Sequence, residues 1–231
     1  MKTKFKEPRE KNKINPRLLY IALLLIALIL AVLLIHQMRH YGNKIETIEA
    51  SSAEIYERDV DDIESVVLGA GLFTAGTDIP PGRYLVTTEE DKFGSFVVYE
   101  PDSNMLQISE MLGSGPDIDY VPNVAVSLID GQVLEIKKLR QVTFTPLATE
   151  LKTELTTGIW VVGIDINPGT YSVSSKNGRS GTLNIFEDDF PVAKSFLGKE
   201  GSGFVESDTV ILEEGQVIRI TKIPTVIFIE Q

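Results

Sequence analysis

The segment Gly71-Leu-Phe-Thr-Ala-Gly-Thr-Asp-Ile-Pro-Pro-Gly-Arg-Tyr-Leu-Val86 returns, without a gap, as Gly158-Ile-Trp-Val-Val-Gly-Ile-Asp-Ile-Asn-Pro-Gly-Thr-Tyr-Ser-Val173. The correspondence runs on through 94–100 and 181–187, and resumes after a small change in loop length at 126–136 and 210–220. A chain that repeats itself in this way is expected to fold as two copies of one small unit. The copies fall at residues 69–148 and 149–231.

Each copy reads as β structure. Short runs of β-branched and aromatic residues are cut by Gly, Pro, Asp and Asn, and none of the apolar spacings within the copies is helical. Pro81-Gly82 and Pro168-Gly169 suit the central positions of type II turns, where Pro presets φ and Gly accepts a positive φ. Asp78 and Asp165, three residues upstream, are placed to accept bonds from turn amides, so these six residues are expected to form a structural turn. Asp130-Gly131 and Glu214-Gly215 read as tight hairpin connections. Turn signals at short, regular intervals point to a small antiparallel sandwich or barrel in each copy.

The apolar content is concentrated elsewhere. Residues 18–35, LLYIALLLIALILAVLLI, hold no charge, Gly or Pro and are long enough as a helix to cover the hydrocarbon core of a bilayer. Residues 1–17 carry seven basic side chains against two acidic ones, whereas the whole chain has a net charge of −11, so the acidic excess lies beyond the apolar run. The positive-inside rule puts the basic tail in the cytoplasm and the β copies outside. Beyond Ile35 the sequence His36-Gln-Met-Arg-His-Tyr41 offers no small-x-small cleavage site, so an uncleaved signal anchor is expected. Residues 36–68 follow as a helical stalk, because Ile45, Ile48, Ile55, Ile63 and Val67 recur at whole numbers of helical turns.

The chemistry of the copies is narrowed by composition. There is no Cys, and the two histidines, His36 and His40, flank the apolar run, so Ser-His-Asp, Cys-His and His-based zinc arrangements are missing from residues 69–231. Acidic clusters at Glu89/Glu90/Asp91, Asp117/Asp119, Glu187/Asp188/Asp189 and Glu213/Glu214 lack the spacing of a calcium loop and read as solvated loop charge. The Gly-rich stretches 112–116 and 198–203 do not match a phosphate-binding loop. They differ between the copies, which makes them candidates for partner contact. The strongly negative outer region disfavours nucleic acid, and none is expected as a partner.

The Gly-x-Asp-Ile-x-Pro-Gly-x-Tyr signature with its later Gly-Gln turn resembles a β domain of secreted and membrane-anchored proteins of Gram-positive bacteria. The resemblance covers both copies and implies a fold but no activity.

The expected architecture is therefore mainly β: one N-terminal transmembrane helix, a short helical stalk, then two tandem small antiparallel β-sandwich or barrel-like domains. The expected function is non-enzymatic, without cofactor or metal: a single-pass cell-envelope protein whose copies bind a surface protein or wall polymer. Membrane lipid is its partner through the anchor, and the stalk offers a route to homo-oligomers. A carboxylate-based enzyme acting on wall carbohydrate and a bitopic regulator or assembly factor of a membrane complex are the alternatives.

Overall fold

A computed structural model describes Tyr20 and residues 25–39, 63–89, 92–101, 105–113, 120–188, 190–201 and 203–231. The chain divides into two compact units, with the helix in one and every described strand in the other. The helix covers residues 25–39 and is exposed throughout. Among the described residues no helix is long and apolar enough to cross a membrane. The expected span of 18–35 lies only partly within them, and the basic tail lies outside them.

The β unit begins with β1 (Val66–Leu68), β2 (Gly71–Thr74), β3 (Gly82–Thr88) and β4 (Phe93–Tyr99). Then come β5 (Leu106–Gly113), β6 (Asn123–Leu128), β7 (Val133–Lys137) and β8 (Val142–Pro146). The second copy supplies β9 (Glu154–Val161), β10 (Gly169–Ser175), β11 (Gly181–Glu187), β12 (Phe190–Leu197), β13 (Ser207–Leu212) and β14 (Val217–Glu230). The stalk is corrected at its end: Val66–Leu68 is not helical but pairs with β8, Val66 opposite Phe144. Two adjacent β-branched residues next to a free sheet edge favour the strand. Residues 40–62 of the stalk lie outside the described residues.

The strands form two sheets. The first runs β1-β8-β3-β6-β9-β14-β10-β13, with β11 on β14 and β12 on β11; the second is β2-β7-β4-β5. The copies differ in one respect that explains this asymmetry. In the first, β7 and β8 are separate strands in different sheets, with Lys138 between them at φ 66. In the second, β14 runs through the same point, bending at Lys222 (φ 63), and so serves both β10 and β11. The inward faces make two cores. Tyr84 and Phe96 pack edge-on against Phe144 in the first, and Tyr171 against Phe228 in the second.

Candidate interaction surface

The repeated signature builds the same corner twice. Asp78 Oδ2 accepts from the amide of Thr74 (2.8 Å) and Asp165 Oδ2 from the amide of Val161 (2.8 Å). Each Asp amide in turn donates to the carbonyl of that same residue, closing a tight loop. The amides bonded thus precede the Asp; they do not belong to Pro81-Gly82 or Pro168-Gly169. The type II turns expected at those pairs are not formed. Gly82 and Gly169 open strands β3 and β10, and neither has a φ near the value such a turn needs. A Cβ on either would press on the ring of Tyr84 or Tyr171. Those two hydroxyls reach back to the carbonyls of Pro80 (2.9 Å) and Asn167 (3.0 Å).

Type II geometry occurs instead at Asp130-Gly131 and Glu214-Gly215, where Gly131 has φ 82 and Gly215 φ 81. These are not hairpins, since β6 and β7 lie in different sheets and β13 does not pair with β14. Each turn is held by its Gln: Gln132 Oε1 accepts from the amide of Ile129 and Gln216 Oε1 from that of Glu213. The turns also dock on the Asp corners, through Gly131 N to Ala75 O and Gly215 N to Val162 O, both 3.1 Å. Every part of the signature is thereby used within its own copy.

One signature residue does more. Asp165 is buried, and its Oδ1 lies 2.6 Å from Nη2 of Arg83 in the other copy, itself buried. Arg83 Nη1 also donates to Thr149 Oγ1 (3.2 Å) on the linker between copies. Around this pair the copies meet closely. β6 and β9 pair in parallel at Ala125 and Gly158, and Ile159 and Val217 pack on the first core while Leu85 and Leu147 pack on the second. Asp78, at the equivalent position in the first copy, is exposed.

A further buried charge, Glu110, joins the two copies. It alternates with Ile108 and Leu112 on the inward face of β5 and accepts from the amide of Lys222 (3.2 Å). Burial pushes its carboxyl up to about 7, against the lowering effect of that bond and of the Lys222 charge. The folded chain then holds a proton that the unfolded chain releases near 4.5, so stability is expected to fall as pH rises from about 4.5 to about 7. The loss is on the order of 3 kcal/mol. Glu110→Gln keeps an acceptor without the charge, and is expected to flatten this dependence: little change in urea midpoint near pH 5 and a higher midpoint near pH 8. Parallel pH profiles for the variant and the parent would refute the assignment.

Outward from the seam, β12 carries exposed Phe190, Val192 and Phe196, and among the described strands pairs with β11. A bulge at Val192 breaks the alternation, so Phe196, opposite Thr182, and Phe190, opposite Glu187, lie on different faces. Phe204 meets Phe196 edge-on (6.2 Å), Lys194 Nζ lies 4.6 Å from the Phe196 centroid, and Val205 is exposed beside them. Pro191 within this edge strand, with Lys194, opposes addition of a further strand, so the surface offers side chains rather than backbone. The residues that follow support it: Leu197 bridges Val205, and the amide of Phe204 donates to Gly201 O (3.0 Å). Of the other variable loop, only Leu112 and Gly113 are described.

The acidic clusters lie partly outside the described residues, and so does His40. Among the described residues no group of three or more His, Asp or Glu side chains is placed to hold a metal ion. Sequence reading missed Arg83 and Glu110. Their signal was a charge beside apolar strand residues, at the start of β3 for Arg83 and inside β5 for Glu110. Comparison with protein-family models, with curated proteins and with solved structures gives no match to this chain.

Proposed function

We propose that this chain is a non-enzymatic binding or scaffold protein of a bacterial cell envelope, anchored by residues 18–35 with its N-terminus cytoplasmic. Its repeats act outside as two tandem sandwich-like domains fused into one body. The carrying observation is the cluster of Phe196, Phe204 and exposed Val205 at the edge strand β12, an apolar surface rimmed by Lys194. Contiguous exposed apolar residues of this kind mark contact sites. Aromatic faces serve equally for the C–H faces of a sugar and for apolar side chains of a protein, which fits a wall polymer or a surface protein.

Crosslinking of the full-length chain on intact cells tests this. A specific adduct is expected, and Phe196→Ser with Val205→Ser should lower its yield about fivefold or more, the loss of roughly 1 kcal/mol or above. An adduct of unchanged yield, or none from the parent chain, would count against the proposal.

A further inference from the structure

The outer face of β12, β11 and β14 follows from their pairing. Lys194, Asn184 and Arg219 lie side by side across the three strands, and Phe196, Thr182 and Thr221 form the neighbouring row. Side-chain contacts place these groups on one surface: Thr182 Oγ1 lies 2.6 Å from Thr221 Oγ1, and Asn184 Nδ2 donates to Thr182 Oγ1 (3.2 Å). Leu183 and Ile185, which alternate with them on β11, point the other way into the second core.

Each cation on this face is seated on an aromatic ring. Lys194 Nζ lies 4.6 Å from the Phe196 centroid, and Arg219 Cζ lies 4.7 Å from that of Phe186. Such seating holds two flexible side chains in place before a ligand arrives. Phe196 stands opposite Thr182, four residues along β11 from Phe186, so the two rings bracket the charged row over roughly 13 Å of strand. Neither these two rows nor the Pro191–Phe186–Val217 row holds an Asp or Glu, although the chain beyond the apolar run is strongly acidic.

We infer that this face binds an anionic polysaccharide, an inference that rests on the binding reading above and names its ligand class. The polymer lies along the strands, with an acid group between Lys194 and Arg219 and sugar rings against Phe196 and the Arg219–Phe186 stack. The mixture of groups selects this occupant. An apolar segment of a protein would cover the amide of Asn184 and the hydroxyls of Thr182 and Thr221 without bonding them, which costs free energy. A sugar turns its C–H face to an aromatic ring and its hydroxyls to the polar groups between. A neutral polymer would gain nothing from the two cations, and a cationic one would be repelled by them.

Retention of the full-length chain, in detergent, on polymer-coupled beads tests this. Polygalacturonate, whose rings each carry a carboxylate, should retain about tenfold more chain than neutral dextran or ringless polyphosphate at about 0.1 M salt. Lys194→Glu and Phe196→Ser should each lower that retention about fivefold or more while leaving the urea midpoint unchanged, since both side chains are exposed. Equal retention on polyphosphate, which simple ion exchange gives, overturns the inference. Equal retention on dextran, variants that bind like the parent, or no retention on polygalacturonate do so too. If polygalacturonate fails while the Phe196-dependent adduct on intact cells persists, the anionic polysaccharide is wrong and the binding reading stands; if both fail, both fall.

Discussion

Asp165→Ala is expected to destabilise the β unit by about 3–5 kcal/mol, whereas Asp78→Ala costs about 1 kcal/mol. The two residues occupy the same place in the repeated signature and make the same bond to a preceding amide, so that bond cancels in the comparison. What remains is the charge of Arg83, left buried without its 2.6 Å partner. Urea unfolding of the two variants reads the difference directly. An apolar pair, Arg83→Met with Asp165→Leu, should recover much of the loss, because the cost comes from stranding one charge rather than from losing an attraction. Equal costs at Asp78 and Asp165 would show that the ion pair contributes nothing at the seam.

Gly158→Ala carries the second large effect, about 3–5 kcal/mol. Gly158 has φ 142, a region closed to residues with a Cβ, and a Cβ there would run into the backbone of Ala125 across the β6–β9 pairing. Strain and overpacking each cost about 1–3 kcal/mol and act together here. Gly71→Ala, at the same place in the first copy, meets only the ring of Phe73, which can turn aside, so its cost should be well below half as large. Thermal unfolding of both variants, compared with the parent, checks this ordering; a smaller shift for Gly158→Ala than for Gly71→Ala would contradict it.

The repeat and the β character were legible because both rest on local patterns: alternation, turn residues and self-similarity. The roles within the signature were less so. Pro-Gly is a strong turn signal, but here the tyrosine two residues after each Gly fixes the geometry, and the type II turns fall at Asp130-Gly131 and Glu214-Gly215. Val67 fits a helical spacing with Ile63, yet an available edge at β8 takes it as a strand. The seam was illegible for a further reason. It joins positions that do not correspond, Arg83 to Asp165 and Ala125 to Gly158, so aligning the copies sets each residue beside one it never meets. The usable clue was a difference between the copies: Arg83 becomes Thr170, and Glu110, beside Ile108 and Leu112, faces inward.

That the two copies form one body rather than two beads is open to a direct measurement. Trp160 is the chain's single Trp and is buried in the second core, so its fluorescence follows one copy while far-ultraviolet circular dichroism follows both. Urea unfolding of the full-length parent chain should give superimposable curves by the two probes, and Arg83→Met should pull them apart. Curves already separated in the parent, with a plateau between two transitions, would mean that the copies fold independently and that the seam does not couple them.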